Sequence, residues 1–376
     1  MSAANLLIVA DSERDANMFY AVGMFVPDPF VYLRIGGRNH LILNELEIDR
    51  ARREAPACQV LCLGRYLRQL RREGVGRPSV AQVIRRVARE KRVGKFLVPA
   101  TFPYGLAREL RRLKVRVKVK PGSFFPEREV KSAVEVKRIS GALIMAEVGM
   151  AEALQALRNT KIGPRGRLLY HQVPLTAEKL RAIIDTAILQ AGGLPAHTIV
   201  AGGRQSCFPH EPGHGPLWAN QPIILDIFPR SQKTGYFGDI TRTVVRGRAT
   251  EGVRRMHHTV RRAQELALGL LRPKTRAAVV DKAVRRFIEG EGFPTRQQNG
   301  RCEGFCHGTG HGLGLELHEA PQVSAHSEAI LRAGNVVTVE PGLYYPGLGG
   351  VRLEDVACLT PSGARNLTKF DKVLEV

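Results

Sequence analysis

The segment His307-Gly308-Thr309-Gly310-His311-Gly312-Leu313-Gly314-Leu315-Glu316-Leu317-His318-Glu319 places three imidazoles within a dozen residues. The glycines between them let backbone and ligands approach closely. Alone, the segment suggests a metal site of unspecified kind. Acidic residues in strand-like contexts stand on both sides of it: Asp226 and Asp239 upstream, Glu340 and Glu354 downstream. Four carboxylates with one or more histidines predict an oxygen-rich dinuclear metal site.

Each carboxylate sits where a charge is costly. Asp226 follows Pro222-Ile223-Ile224-Leu225, and Asp239 leads through Ile240-Thr241-Arg242-Thr243 into Val244-Val245. The intervening Pro229 to Gly235 is turn-forming, so the two aspartates read as neighbours on a hairpin. Glu340 follows Val336-Val337-Thr338-Val339, and Glu354 follows Gly349-Gly350-Val351-Arg352-Leu353. One such residue is more often a partnered core charge than a ligand. Like charges gathered in apolar surroundings repel and are desolvated, and a pair of divalent cations removes that cost.

Strands alternating with helical patterns over residues 1–122 predict a small α/β domain. The expected strands are Asn5–Ala10, Phe30–Arg34, His40–Leu43, Cys58–Leu63, Lys95–Val98 and Val115–Val119. Pro121-Gly122 punctuates the chain, and Ser123–Pro126 reads as a connector. From residue 127 to 376, long helical patterns (Glu127–Leu157, Thr176–Gln190, Gly252–Leu271, Ala277–Gly290) are grouped apart from runs of strands. The fold class expected for the whole is α+β.

Composition bounds the remaining readings. The 376 residues are 44% hydrophobic and 24% charged, an ordinary globular balance. The first ten residues lack a signal-peptide pattern, and no long apolar run appears, so a soluble, cytoplasmic protein without a membrane span is expected. Six cysteines in this length do not make a disulfide scaffold, and reduced, buried or half-buried thiols are expected. Cys302-x3-Cys306-His307 lacks the paired knuckles of a zinc ribbon. The net charge of +22 favours nonspecific contact with polyanions, but no nucleic-acid motif accompanies it, and solvated helix faces account for it. No specific nucleic-acid partner is expected.

The order Asp226, Asp239, His311, Glu340, Glu354, within GDITRT, GHGLGLELHEAP, VEPGLYY and GGVRLED, resembles the pita-bread metallopeptidases. These include methionine aminopeptidase, Xaa-Pro aminopeptidase and prolidase. Pro209-His210 and the preceding α/β domain resemble the prolidase and Xaa-Pro aminopeptidase branch, with its creatinase-like two-domain architecture. The resemblance implies an N-terminal α/β domain over 1–122 and a pita-bread catalytic domain over 127–376. It implies two divalent metal ions, Mn or Co, although the same ligands could hold Zn. Asp226 would chelate one ion, Asp239 and Glu354 would bridge both, and His311 and Glu340 would complete the coordination of the second ion. The implied reaction is hydrolysis of the peptide bond preceding proline by a metal-bridging hydroxide, with Glu340 accepting the water's proton. His210 and His318 would bond the substrate carbonyl or developing oxyanion, while His307 and Arg352 would line the substrate pocket. Peptides with proline at the second position and a homodimer are the implied partners.

Two features depart from the family pattern. The aspartates are 13 residues apart, about two more than in most relatives, which reads as a longer hairpin tip that keeps both in phase. His214 is extra and is expected to face solvent. Alternative readings are a metallo-aminopeptidase of other specificity on the same fold, or a silent relative that binds protein or nucleic acid. Silent and creatinase-like members lose metal ligands, whereas all five stand here. The glycines match neither GxGxxG nor GxSxG, and His318-Glu319-Ala320-Pro321 is not HExxH.

Overall fold

A computed structural model describes residues 4–298 and 300–376. The chain divides into two compact units, Met1–Arg128 and Glu129–Val376. The first unit runs past Gly122 because Phe124 and Phe125 of the expected connector are buried in its core.

The N-terminal unit is a six-stranded sheet in the order β4-β3-β2-β1-β5-β6. Its strands are β1 Leu6–Ala10, β2 Phe30–Ile35, β3 Arg38–Leu43, β4 Cys58–Cys62, β5 Lys95–Val98 and β6 Arg116–Val119. The first three pair antiparallel, while β4, β5 and β6 join in parallel register. Helices α1 (Ala16–Val22) and α2 (Ile48–Glu54) cover one face, packing Met18, Val22 and Ala51 against it. Helices α3 (Leu63–Arg72), α4 (Val80–Glu90) and α5 (Tyr104–Arg112) cover the other through Leu70, Val83, Ile84, Val87 and Leu110. Periodicity did not signal α1, which is seven residues long and is set by its ends. Asp15 accepts from the Met18 amide at its start, and Gly23 ends it at φ +73°, the usual cap chemistry.

In the second unit, α6 spans Ala133–Arg158 rather than starting at Glu127. Ser132 and Glu135 form a reciprocal capping box that fixes its first turn. Helices α6 and α7 (Ala177–Gln190) share an apolar core with a three-stranded sheet of Ile199–Gly202, Pro222–Ile227 and Ile240–Val245. Helices α8 (Glu251–Leu270) and α9 (Ala277–Gly290) share a second core with a five-stranded sheet that includes Gly310–Gly312, Val336–Val339 and Asp355–Thr360. The run Val351–Leu359 divides between two strands: Gly349–Arg352 pairs with Gly342–Tyr345, and Asp355 begins a strand of the five-stranded sheet. At the break, the Glu354 amide donates to the Thr241 carbonyl at 3.0 Å, which ties this turn to the Ile240–Val245 strand. Among the described residues no helix is long and apolar enough to cross a membrane.

Candidate metal centre

The two aspartates come from one hairpin. Asp226 lies opposite Thr241 in the antiparallel ladder, and Asp239 stands one residue before the Ile240 strand. The second arm of the hairpin rests on α6 just before Asp239: a Cβ built on Gly238 would lie 2.4 Å from the Ala142 carbonyl oxygen. Only glycine permits that approach beside Asp239.

His311 arrives on the Gly310–Gly312 strand, and both flanking glycines are required by space. A Cβ on Gly310 would meet the Thr338 carbonyl oxygen at 2.0 Å, and one on Gly312 the Ala320 oxygen at 2.4 Å. His311 Nδ1 bonds the Gly312 carbonyl at 3.1 Å, so the proton belongs on Nδ1 and the Nε2 lone pair is free. That Nε2 lies 3.3 Å from Glu340 Oε1 and 3.9 Å from Asp239 Oδ2. Donor atoms of Asp239, His311 and Glu354 all fall within 4.8 Å of one another.

The other two carboxylates are each met by a threonine hydroxyl. The Glu340 amide donates to Thr309 O at 2.8 Å, and Thr338 Oγ1 lies 3.3 Å from Glu340 Oε1. Thr241 Oγ1 donates to Glu354 Oε2 at 2.8 Å. Arg242, fully buried, donates to the Glu354 carbonyl at 2.6 Å and to Asp355 at 2.9 Å. Thr241 and Arg242 therefore steady the groups that carry the carboxylates.

Electrostatics shows what the cluster lacks. Burial and the neighbouring Asp226 and Glu340 charges push the Asp239 carboxyl well above its ordinary range. Burial and the Asp239, Glu340 and Asp226 charges do the same to Glu354. Burial raises Glu340 to about 7 against the opposing pull of Arg352. Oδ1 of Asp226 and Oδ1 of Asp239 are buried without a hydrogen-bond partner. Buried oxygen acceptors without donors, beside a histidine lone pair, fit a divalent cation.

All nine residues singled out from the sequence line one cavity of about 610 Å³: His210, Asp226, Asp239, His307, His311, His318, Glu340, Arg352 and Glu354. His318 stands edge-on to His311, ring centroids 4.3 Å apart. Burial, the nearby His210 and, in opposition, the Asp226 charge leave His318 with a lowered pKa. His307 bonds Gly308 O at 2.9 Å and Tyr344 Oη at 2.8 Å. Burial and the Arg352 charge push it down to about 3, so it is neutral. Arg352 is engaged inside the protein, donating to Asp226 Oδ2 at 2.6 Å and to Tyr344 Oη at 2.9 Å. His214 is exposed and lies 3.5 Å from Glu211, in solvent as expected.

Three features went unassigned from the sequence. Tyr344, inside the quoted VEPGLYY motif, links His307 to Arg352. Asp281 on α9, fully buried, accepts from the Thr309 amide at 2.8 Å and from Arg285 at 2.7 Å. Arg285 in turn donates to the carbonyls of Phe305 and His307. An aspartate directly after the apolar run Ala277 to Val280, with an arginine four residues on, was the available signal. The cysteine expectation is corrected for one pair: Cys302 and Cys306 form a disulfide, with Cα atoms 5.8 Å apart. A four-residue separation allows this because Cys302 lies on a strand and Cys306 in the loop after it. Cys58, Cys62, Cys207 and Cys358 are free.

A family model described as metallopeptidase family M24 matches residues 137–361. The chain belongs to this family. The M24 chain is 32% identical over 283 residues to an Xaa-Pro dipeptidase of Pyrococcus horikoshii, an alignment covering 74% of each. A prolidase structure from Pyrococcus horikoshii OT3 superposes with a TM-score of 0.79 at 25% identity, covering 99% of this chain and 95% of that one. An X-Pro aminopeptidase structure from Thermotoga maritima superposes with a TM-score of 0.82 at 23% identity, covering 99% and 97%, and speaks for the fold alone. The pita-bread fold and the metallopeptidase class expected from the sequence both hold.

Proposed function

We propose that this M24 metallopeptidase hydrolyses the peptide bond preceding proline. The observation that carries the reading is the convergence of four buried carboxylates and the free Nε2 of His311 on one cavity, with two acceptor oxygens unpartnered. The proline specificity is supported by the Xaa-Pro dipeptidase to which the chain is similar.

Asp226, Asp239, His311, Glu340 and Glu354 would hold two divalent cations, which supply an acidified water and a polarised scissile carbonyl. Glu340 would accept the water's proton, as the resemblance implies: its Oε1 lies 3.3 Å from His311 Nε2, among the atoms that would hold the cations. His318 and His210, which line the same cavity, would donate to the substrate carbonyl as charge develops on it. Neutral His307, held by Tyr344, and Arg352 wall the part of the cavity that receives the far end of the substrate. An Xaa-Pro bond has no N–H and a fixed ring, so a shaped wall rather than an amide acceptor must recognise it. Carboxylate-rich ligands suit Mn over softer ions. The resemblance to the prolidase branch also implies a homodimer, which sedimentation velocity reads directly.

The test is hydrolysis of Xaa-Pro dipeptides and of longer Xaa-Pro-initiated peptides after loading with Mn, Co or Zn in turn. Cleavage before proline in either class supports the reading, and preference between the classes assigns dipeptidase or aminopeptidase. Turnover only of peptides lacking proline at the second position would replace the specificity while leaving the metal chemistry standing.

A further inference from the structure

The positive charge of this chain is concentrated in one stretch. Residues 63–120 carry eighteen Arg and Lys against three Glu, whereas residues 4–62 of the same unit carry six Arg against eight Asp and Glu. A uniform compositional bias does not produce that contrast within one small unit. The topology makes it spatial: α3, α4 and α5 pack in order over one face of the sheet, with β6 at its edge, while α1 and α2 occupy the opposite face. The N-terminal unit is therefore polarised, with one basic helical face.

That face is not neutralised from within. Glu73 and Glu90 both pair with Arg86, and Glu109 accepts from Ser79. Arg68 pairs with Glu45. Among the described residues the remaining Arg and Lys of the stretch form no ion pair, and Arg71, Arg72, Arg89, Arg111, Arg112 and Lys114 are exposed. So many like charges side by side repel one another, and a polyanion relieves this while releasing its own counterions.

We propose that this face binds the phosphate backbone of a nucleic-acid duplex without reading sequence. The apolar sides of α3, α4 and α5 are spent on the core, and only Val80, Tyr104 and Val119 are large exposed apolar residues in the stretch. An anionic membrane surface would find no apolar stripe to insert. Single strands would find one exposed aromatic, Tyr104, on which to stack. Three helices at ~10 Å spacing span ~30 Å, the axial length of about nine base pairs, whose charge density exceeds that of a single strand. Arginine, which predominates in the stretch, forks onto phosphate oxygens.

The experiment is fluorescence anisotropy of the full chain with a labelled 30-base-pair DNA duplex across a salt series. Parallel arms use a single-stranded RNA of equal length and vesicles containing phosphatidylserine. Wild-type protein is expected to bind the duplex most tightly, with log Kd rising linearly with log salt. Combining Arg71→Gln, Arg72→Gln, Arg111→Gln and Arg112→Gln should weaken binding at least tenfold and reduce the salt slope by about 2–3. The Arg111→Lys and Arg112→Lys pair should retain binding, and peptide hydrolysis should be unchanged in every variant. Duplex affinity unaltered by the four substitutions, or indifferent to salt, would overturn the proposal. So would tighter binding to the vesicles than to the duplex.

Discussion

A carboxylate buried beside three others can avoid its own charge in two ways, by taking a proton or by facing a cation. Burial raises Glu340 to about 7 in the metal-free protein, and a bound cation would hold it ionised. Glu340→Gln keeps the size of the side chain and removes the proton acceptor. It should lower kcat by roughly 10²–10⁴-fold, and metal analysis of the same sample separates lost basicity from a lost ligand. His318 touches the His311 ring but no carboxylate appears among its bonded partners. His318→Ala should therefore retain metal while kcat falls by roughly 10²-fold. Loss of metal in His318→Ala would instead mark it as a ligand. The identities of these residues were legible because carboxylates on apolar strands are individually costly and arrive here in a recognised order. The partners of Arg352 were not legible: nothing in Gly349 to Glu354 reveals that its guanidinium is engaged by Asp226 and Tyr344.

At the scale of elements, the site is built from pieces that meet only on folding. The Asp226–Asp239 hairpin is held on its second arm by α6, through the close approach of Gly238 to the Ala142 carbonyl. Gly238→Ala should push that arm away, costing about 1–3 kcal/mol of stability and weakening metal affinity together, as calorimetry and metal titration would read. A substitution that lowered neither would show the arm to be free of the helix. On the opposite side, α9 fastens the His307–Thr309 loop through Asp281 and Arg285. Asp281→Ala leaves Arg285 and the Thr309 amide without their shared acceptor, so a loss of about 3 kcal/mol is expected. Strands and helices with strong periodicity could be read from the sequence. Helix α1, only seven residues long, and the break at Leu353-Glu354 could not, because caps and a tertiary amide–carbonyl bond decide them.

For the whole molecule, the metal-free protein should show opposing pH dependences. Glu340, Glu354 and Asp239 have folded pKa values above their unfolded ones. The unfolded chain releases those protons first, so stability present below about pH 4.5 is lost as pH rises through the folded value, about 7 for Glu340. His257, buried on α8, is lowered to about 4 by burial and the neighbouring Arg261 and Arg242 charges. Its contribution is present above the ordinary histidine pKa and is lost as pH falls toward 4. Thermal midpoints of chelated protein should fall on both sides of an intermediate pH, and divalent metal should remove the fall on the alkaline side. A metal-free protein that grows more stable from pH 5 to 8 would contradict the raised carboxyls.

We infer that the buried carboxylates hold metal for cleavage before proline. This is tested most directly by metal content and Xaa-Pro hydrolysis, measured together on wild-type protein and Asp239→Ala. Two divalent ions per wild-type chain with cleavage before proline are expected, and loss of both metal and turnover in the variant. Full metal content and activity in Asp239→Ala would contradict the site, and two bound metals without cleavage of any Xaa-Pro peptide would contradict the function.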